Sequence, residues 1–250
     1  MPKYNWDLFI VLFKKELITR YQGSILGFFW TVLNPLLSIA VYYIVFGLIL
    51  KLGDDNYLYY LISGVLYWNF ISTSIIGFSY VYLNNAPIIK RLPVSLNLLG
   101  LANLVSNLVP YMILTFLFII FVYPIKLFLI GVLKVMLVFS ITSLFIYFFG
   151  LVIGVFNSIV KDVGYVISFV LNLLFYLTPV VYYEEAVPNS LKWLLFVNPF
   201  APFLMLWRWA TFGSDIDGIY ILLSFFYILL AFIFFKLVNK KLVWIIPEVL

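Results

Sequence analysis

The 250-residue chain contains no cysteine and no histidine. Those two absences exclude a thiol nucleophile, a disulfide, a Cys/His zinc site and a histidine general base together. Charge is scarce as well. Only 10% of the residues are Asp, Glu, Lys or Arg, against about 25% in a soluble domain. No Gly-x-x-x-x-Gly-Lys-Ser/Thr phosphate loop occurs. If a nucleotide drives this protein, a separate subunit binds it. The net charge of +5 is modest. In so apolar a chain it reports topology and contact with anionic lipid rather than nucleic-acid binding.

What the chain has in excess is hydrophobicity: 66% of its residues are apolar and the mean hydropathy is +1.15. Residues 21–50, 56–89, 92–125, 135–160, 163–183 and 218–235 carry no charge. These runs are 30, 34, 34, 26, 21 and 18 residues long. A membrane-spanning helix needs about 20 apolar residues, so each run can hold one span. Their unbroken apolar composition argues against a barrel, whose short strands alternate. The expected fold is an all-α integral membrane protein, one transmembrane domain over residues 1–250. Its six spans are expected near 28–50, 58–83, 97–122, 133–156, 164–183 and 217–238. The first 20 residues hold Lys3, Asp7, Lys14, Lys15, Glu16 and Arg20 and no cleavage-site pattern. The first apolar run is therefore expected to stay as a span.

Two segments differ from the rest. Residues 1–27 are expected to contain an interfacial helix, with Trp6, Phe9, Ile10, Phe13 and Leu17 on one face and Leu8 and Leu12 off it. Residues 193–207 are uncharged for only 15 positions and contain Pro199 and Pro202. Too short to span and broken by proline, they suit a re-entrant pair of half-helices within an outer segment 184–213.

Loop charge sets the orientation. Residues 1–27, 84–96, 156–163 and 236–250 hold ten basic and four acidic residues, a net of +6. The remaining connections hold five basic and six acidic residues, a net of −1. Both termini are expected in the cytoplasm.

The spans hold almost no ionisable side chain. Lys134, near the outer end of the fourth, is placed to snorkel. The absence of mid-membrane Asp and Glu argues against a proton- or sodium-coupled carrier and against a membrane enzyme. The aromatic residues, 21% of the chain, include Tyr57, Tyr59, Tyr60, Tyr176, Tyr182 and Tyr183 near outer ends. They fit an interfacial belt or, as flat apolar faces, the lining of a sugar path. The candidate path residues are Tyr42, Tyr59, Phe175, Tyr176 and Tyr182. Gly150 and Gly154 form a Gly-x-x-x-Gly pair suited to close helix packing, within one chain more readily than between two. The segment Asn84 to Pro93 is a short apolar-plus-basic element between prolines. It is either an ordinary positive-inside loop or a docking element for a cytoplasmic partner.

Several stretches together resemble the type-2 ABC export permeases that move O-antigen, capsular polysaccharide or teichoic acid. They are Arg20-Tyr21-Gln22-Gly23-Ser24-Ile25-Leu26-Gly27-Phe28-Phe29-Trp30, Asn34-Pro35-Leu36-Leu37, Tyr42 to Phe46, Lys90 to Pro93, Asn157 to Val163, and Thr178-Pro179-Val180-Val181-Tyr182 with Pro188 and Asn198-Pro199. The family commonly has Arg where Lys161 stands, which keeps the charge but not the guanidinium fork. The resemblance implies a non-enzymatic homodimer in the cytoplasmic membrane, with ATP and Mg held by two copies of a separate subunit and no cofactor or metal on this chain. It implies a polyprenyl-linked glycan as cargo. Asn85, Ile88, Lys90, Arg91 and Pro93 then correspond to the element that docks on the ATPase. The Pro-interrupted segment, with Pro188, Asn198, Pro199 and Arg208, corresponds to an outer gate. Lys14, Lys15 and Arg20, with Lys90 and Arg91, either attract the carrier pyrophosphate or serve topology and lipid contact. Two other functions are open on sequence: an ABC permease for a drug or lipid, and a structural subunit that transports nothing.

Overall fold

A computed structural model describes residues 2–53, 56–122 and 128–250. Asp54, Asp55 and Lys126, counted above with the outer connections, lie outside the described residues. The described residues contain helices and no strand. Helix α1 is Pro2–Tyr21, α2 is Trp30–Tyr42, continued by π-helical turns over Tyr43–Ile49, and α3 is Tyr57–Asn84. A short α4, Ala86–Arg91, leads to α5, Leu96–Val122, and α6, Phe128–Ile159. Then come α7, Val163–Leu177, α8, Trp193–Val197, α9, Ala201–Phe212, α10, Gly218–Leu242, and α11, Ile246–Val249. Five of these segments are long and apolar enough to cross a bilayer. The protein is an all-α integral membrane protein.

Helix α3 is the hub of the bundle. It packs against α2, α5, α6, α7 and α9, and its small buried residues Ser63, Gly64, Ser74 and Ser79 let neighbours approach closely. Gly150 and Gly154 of α6 face it. A Cβ on Gly150 would lie 2.4 Å from Cγ of Phe78, and one on Gly154 would lie 2.9 Å from the Phe78 carbonyl oxygen. The Gly-x-x-x-Gly pair therefore packs inside one chain.

Proline sets three of the breaks. Leu92, Thr178 and Asn198 each precede a proline and each is extended, because the proline ring clashes with a helical residue before it. Helix α7 consequently ends at Leu177 after 15 residues, not at 183. It is about 22 Å long, short of an apolar layer of about 30 Å. Helices α8 and α9, with the turn before α8, meet at 98° around Asn198 and Pro199, as either a broken span or a re-entrant pair would. Pro202, read above as a breaker, sits instead in the first turn of α9, where its missing N–H costs nothing.

The bundle has a basic end and an acidic end. At the basic end α1 packs along α5, and α11 lies against α4 and α6. The acidic end gathers Glu184, Glu185, Asp215 and Asp217 around the start of α10, which Asp217 caps by accepting from the Ile219 N–H at 3.1 Å. Helix α1 presents two apolar faces rather than one. Leu12 is buried and Leu8 packs on the core, whereas Trp6 is exposed. Trp6, Phe9 and Phe13 stack along the other face, with Phe9 also touching the core. The single stripe read from sequence omitted the two leucines that hold the helix to the protein.

Replacing Gly150 with Leu is expected to wedge α6 from α3 and to destabilise the protein by about 1–3 kcal/mol. A lowered midpoint of thermal unfolding in detergent checks this; an unchanged midpoint means that the two helices do not meet there.

Candidate functional site

Three adjoining cavities make a polar groove along one side of the bundle. The first, about 260 Å³, is lined by Glu16, Thr19, Arg20, Gly77, Val81, Asn84 and Asn103. The second, about 520 Å³, shares Arg20 and Gly77 with it and adds Trp30, Thr31, Asn34, Asn69, Thr73, Asn107 and Tyr111. The third, about 190 Å³, shares Asn69 and Ile76 with the second and is closed by Ser38, Tyr42, Trp68, Ser168, Asn172, Phe175 and Tyr176. The groove thus runs from the end of α1 to an aromatic cluster near the end of α7.

Each wall is a polar stripe at helical spacing. Asn34, Ser38 and Tyr42 lie four apart on α2, Asn69, Thr73 and Gly77 on α3, Asn103, Asn107 and Tyr111 on α5, and Ser168 and Asn172 on α7. Four-residue spacing puts each set on one face of its helix. Such side chains are costly in lipid and here they line a common cleft. Asn107 donates from its amide to the Asn103 carbonyl (2.9 Å). Its own side-chain oxygen, buried, has no partner among the described residues. These stripes are legible in the sequence as four-residue repeats of uncharged amides and hydroxyls, a signal that a reading of ionisable groups passes over.

Of the candidate path residues, Tyr42, Phe175 and Tyr176 come together. Tyr42 stacks on Phe175 at 5.1 Å and Phe175 meets Tyr176 edge-on at 5.0 Å. Tyr59 is exposed at the start of α3 and lines no part of the groove. Tyr182 borders a separate apolar cleft with Leu177, Pro188 and Leu195.

The residues at the basic end form a clamp. Lys15 Nζ donates to Asn85 Oδ1 at 2.5 Å and lies 3.7 Å from Glu16 Oε1. Asn85, buried, donates its amide to the Val81 carbonyl (2.8 Å) and to Glu16 Oε1 (3.3 Å). Asn85 therefore joins α1 to the turn between α3 and α4. Ile88 is half-buried on the core, whereas Lys90, Arg91 and Pro93 stand in an exposed row. Lys14 is exposed. Arg20 reaches into the groove, with Ser106 Oγ at 3.5 Å.

At the acidic end the backbone leaves the helix after Leu177, and the carbonyls from Tyr176 to Tyr182 are met by donors other than the helix's own N–H groups. Tyr182 Oη donates to the Tyr176 carbonyl (3.0 Å), Asn198 Nδ2 to Leu177 (3.3 Å), and the Val180 N–H to Thr178 (2.6 Å). Arg208 Nη2 donates to Val180 (3.0 Å) and Tyr57 Oη to Val181 (2.7 Å). Tyr60 Oη donates to Tyr182 (2.9 Å), with the Pro179 carbonyl as a longer acceptor (3.2 Å). Buried Arg208 also donates to the Tyr60 carbonyl (2.6 Å) and to Ser63 Oγ, and its guanidinium lies 3.5 Å from the centre of the Tyr60 ring. Gly64 makes the room: a Cβ there would sit 2.4 Å from Arg208 Nη2. Asn198 fixes the 98° bend by binding Thr178 Oγ1 (2.7 Å) and accepting from the Phe200 N–H (3.0 Å). Pro188 is exposed beyond it. Lys134 does not reach outward alone; its Nζ lies 4.5 Å from the Trp209 ring of α9.

A multi-pass helical membrane protein with a polar, aromatic-ended groove and a broken, braced segment at one end has the architecture of a transport subunit. The chain belongs to the ABC-2 type transporter family, whose model matches residues 7–212. It is similar to the O-antigen export system permease protein RfbA of Klebsiella pneumoniae, 28% identical over 250 residues that cover 95% of this chain and 93% of the relative. A second Klebsiella pneumoniae protein of that name is 27% identical, covering 82% of this chain and 80% of the relative. One from Myxococcus xanthus is 28% identical, covering 77% and 75%.

Arg208→Leu is expected to leave the Val180 carbonyl unpaired, costing about 1–3 kcal/mol, while the Tyr60 carbonyl keeps the bond from Ser63 Oγ. Tyr57→Phe removes one bond and is expected to cost less. Amide hydrogen exchange over 176–183 should quicken in both variants, more in the first. Equal exchange in the arginine variant and the parent would show that the bracing does not hold this segment.

Proposed function

We propose that this chain is the membrane subunit of an ATP-driven exporter of lipid-linked polysaccharide. Two copies would work with two copies of a cytoplasmic ATP-binding subunit in the cytoplasmic membrane, with both chain termini inside. The observation that carries this reading is the groove. Its walls of amides, hydroxyls and aromatic faces match a hydroxyl-rich chain, and no acid lines it beyond Glu16 at its mouth. The names of the relatives support a glycan as cargo. Helix α2, which supplies Asn34, Ser38 and Tyr42 to the groove, and the π-helical turns after it also expose Leu37, Val41, Ile44 and Leu48. A second copy placed against this face would close the path.

ATP-driven closure of the partner subunits would push on the exposed row Lys90 to Pro93. The Asn85 clamp makes α1 move with α4, so the push reaches Arg20 at the mouth of the groove. We assign Lys15 to this brace, and Lys14 and Arg20 to attracting the carrier pyrophosphate. At the far end the re-entrant pair would act as the gate, pivoting about Asn198 and Pro199 while Arg208 holds its base.

Cells lacking this chain are expected to lose the surface glycan; a normal surface glycan would sink the proposal. In complemented cells, Asn69→Leu and Asn107→Leu should lower export with the amount of membrane-inserted protein unchanged. Lys90→Glu combined with Arg91→Glu should reduce co-purification of the ATP-binding subunit. The native chain has no cysteine, so Val41→Cys tests the pairing directly. Oxidation in membranes should yield a disulfide-linked dimer, whereas monomer alone under oxidant would place the contact elsewhere.

A further inference from the structure

At the acidic end a cleft of about 440 Å³ opens between the starts of α3 and α10, the end of α9 and the connection after α7. It shares no lining residue with the groove. Its volume falls within the range of about 300–1,000 Å³ typical of small-molecule sites. Three features of its lining narrow the occupant.

The floor is Arg208, only 5% exposed. Its two terminal nitrogens are committed to Tyr60, Ser63 and Val180. Its Nε, buried, has no hydrogen-bond partner among the described residues. A buried donor without a partner costs free energy that a ligand acceptor recovers. No described carboxylate forms an ion pair with this cation. The walls are aromatic: Tyr60 lies 4.3 Å from Tyr183 and 6.2 Å from Phe212, centre to centre. The rim carries Glu184, Glu185, Asp215 and Asp217. Glu184 is tied to the Tyr220 hydroxyl; the other three are exposed. Among the described residues these acids do not converge as a metal-binding group.

These charges oppose each other along the entry path. An anion would have to cross the acidic rim, and a cation would come to rest beside the buried guanidinium. The tolerated ligand is uncharged. It needs an apolar ring face for the aromatic walls, hydroxyl donors for the rim carboxylates, and an oxygen acceptor for Arg208 Nε. We propose that this cleft is a binding site for a neutral hexopyranose unit, separate from the transport groove. Sugar stacks on Tyr183 and Phe212, gives hydroxyl hydrogens to Glu185 and Asp215, and accepts from Arg208. The site lies on the acidic end, so in the proposed exporter it meets saccharide outside the membrane. Its binding chemistry does not depend on that function.

The test is a titration of the purified full chain in a detergent without a sugar headgroup, read by saturation-transfer NMR. The neutral probes are the methyl glycosides of glucose, galactose and mannose; the charged ones are glucuronate and glucosamine. At least one neutral glycoside is expected to saturate, and to bind about tenfold tighter than either charged probe. Phe212→Ala, a change at an exposed ring, should weaken it about tenfold. Asp215→Asn, an isosteric change at an exposed position, should weaken neutral binding several-fold and improve binding of glucuronate. The absence of saturable binding by all three neutral glycosides overturns the proposal. Binding that both variants leave unchanged, or glucuronate binding as tightly as the neutral sugars, overturns it too. The readout is binding to the isolated chain, so a failed export assay leaves this result standing, and the reverse.

Discussion

A backbone carbonyl that leaves a helix inside a lipid-facing protein must find a donor within the protein, because lipid supplies none. That constraint governs the segment from Tyr176 to Tyr182. Pro179 forces Thr178 out of the helix, and the seven carbonyls from Tyr176 to Tyr182 depend on a turn contact, on Tyr182 itself, and on side chains from α3, α9 and the bend at Asn198. The break is stable because the donors are long and come from rigid helices. Tyr57 and Tyr60 stand one turn apart at the start of α3, and Arg208 stands on α9. Remove the break and α9 could not fold back against α3; remove the donors and the break could not be held.

The same arrangement explains why a cation lies buried at that end with no described carboxylate paired to it. A guanidinium has five donors in a fixed plane, and this position calls for several donors aimed at backbone oxygens. Lysine would bring a compact charge without the fork. The Tyr60 ring face and neutral oxygens share the burden of the charge, and Gly64 supplies the space. The bracing role uses only the terminal nitrogens.

The sequence carried the gross architecture further than the details. Charge-free runs report the cost of inserting charge in lipid, and that cost acts on each segment by itself. The helical membrane fold could therefore be read from local windows, and so could the broken segment, from Pro199. Partnerships could not. The bonds from Tyr57 to Val181 and from Arg208 to Tyr60 join residues 124 and 148 apart in the chain. The outer tyrosines were weighed as an interfacial belt or a sugar lining, and Tyr57, Tyr60 and Tyr182 are carbonyl donors. Leu8 and Leu12 looked like exceptions to a stripe because the second apolar face of α1 exists only when α5 is beside it. The polar stripes of the groove differ: their four-residue spacing stood in plain view, and the feature to seek was uncharged amides and hydroxyls.

Those stripes also connect the two ends of the molecule. Acids inside the spans would have suggested coupling to an ion gradient; amides and hydroxyls offer hydrogen bonds without a charge to move. A groove of that kind can let a polar chain slide, because no single contact is strong, but it contains no group that stores or releases energy. The work must enter elsewhere. In the proposed exporter the exposed row Lys90 to Pro93 is the point of entry, since a buried side chain, Asn85, joins its base to the helix that carries Arg20. In the proposed exporter the energy source and the path would meet at that amide. Its geometry fixes how far a displacement at the membrane surface is felt in the groove.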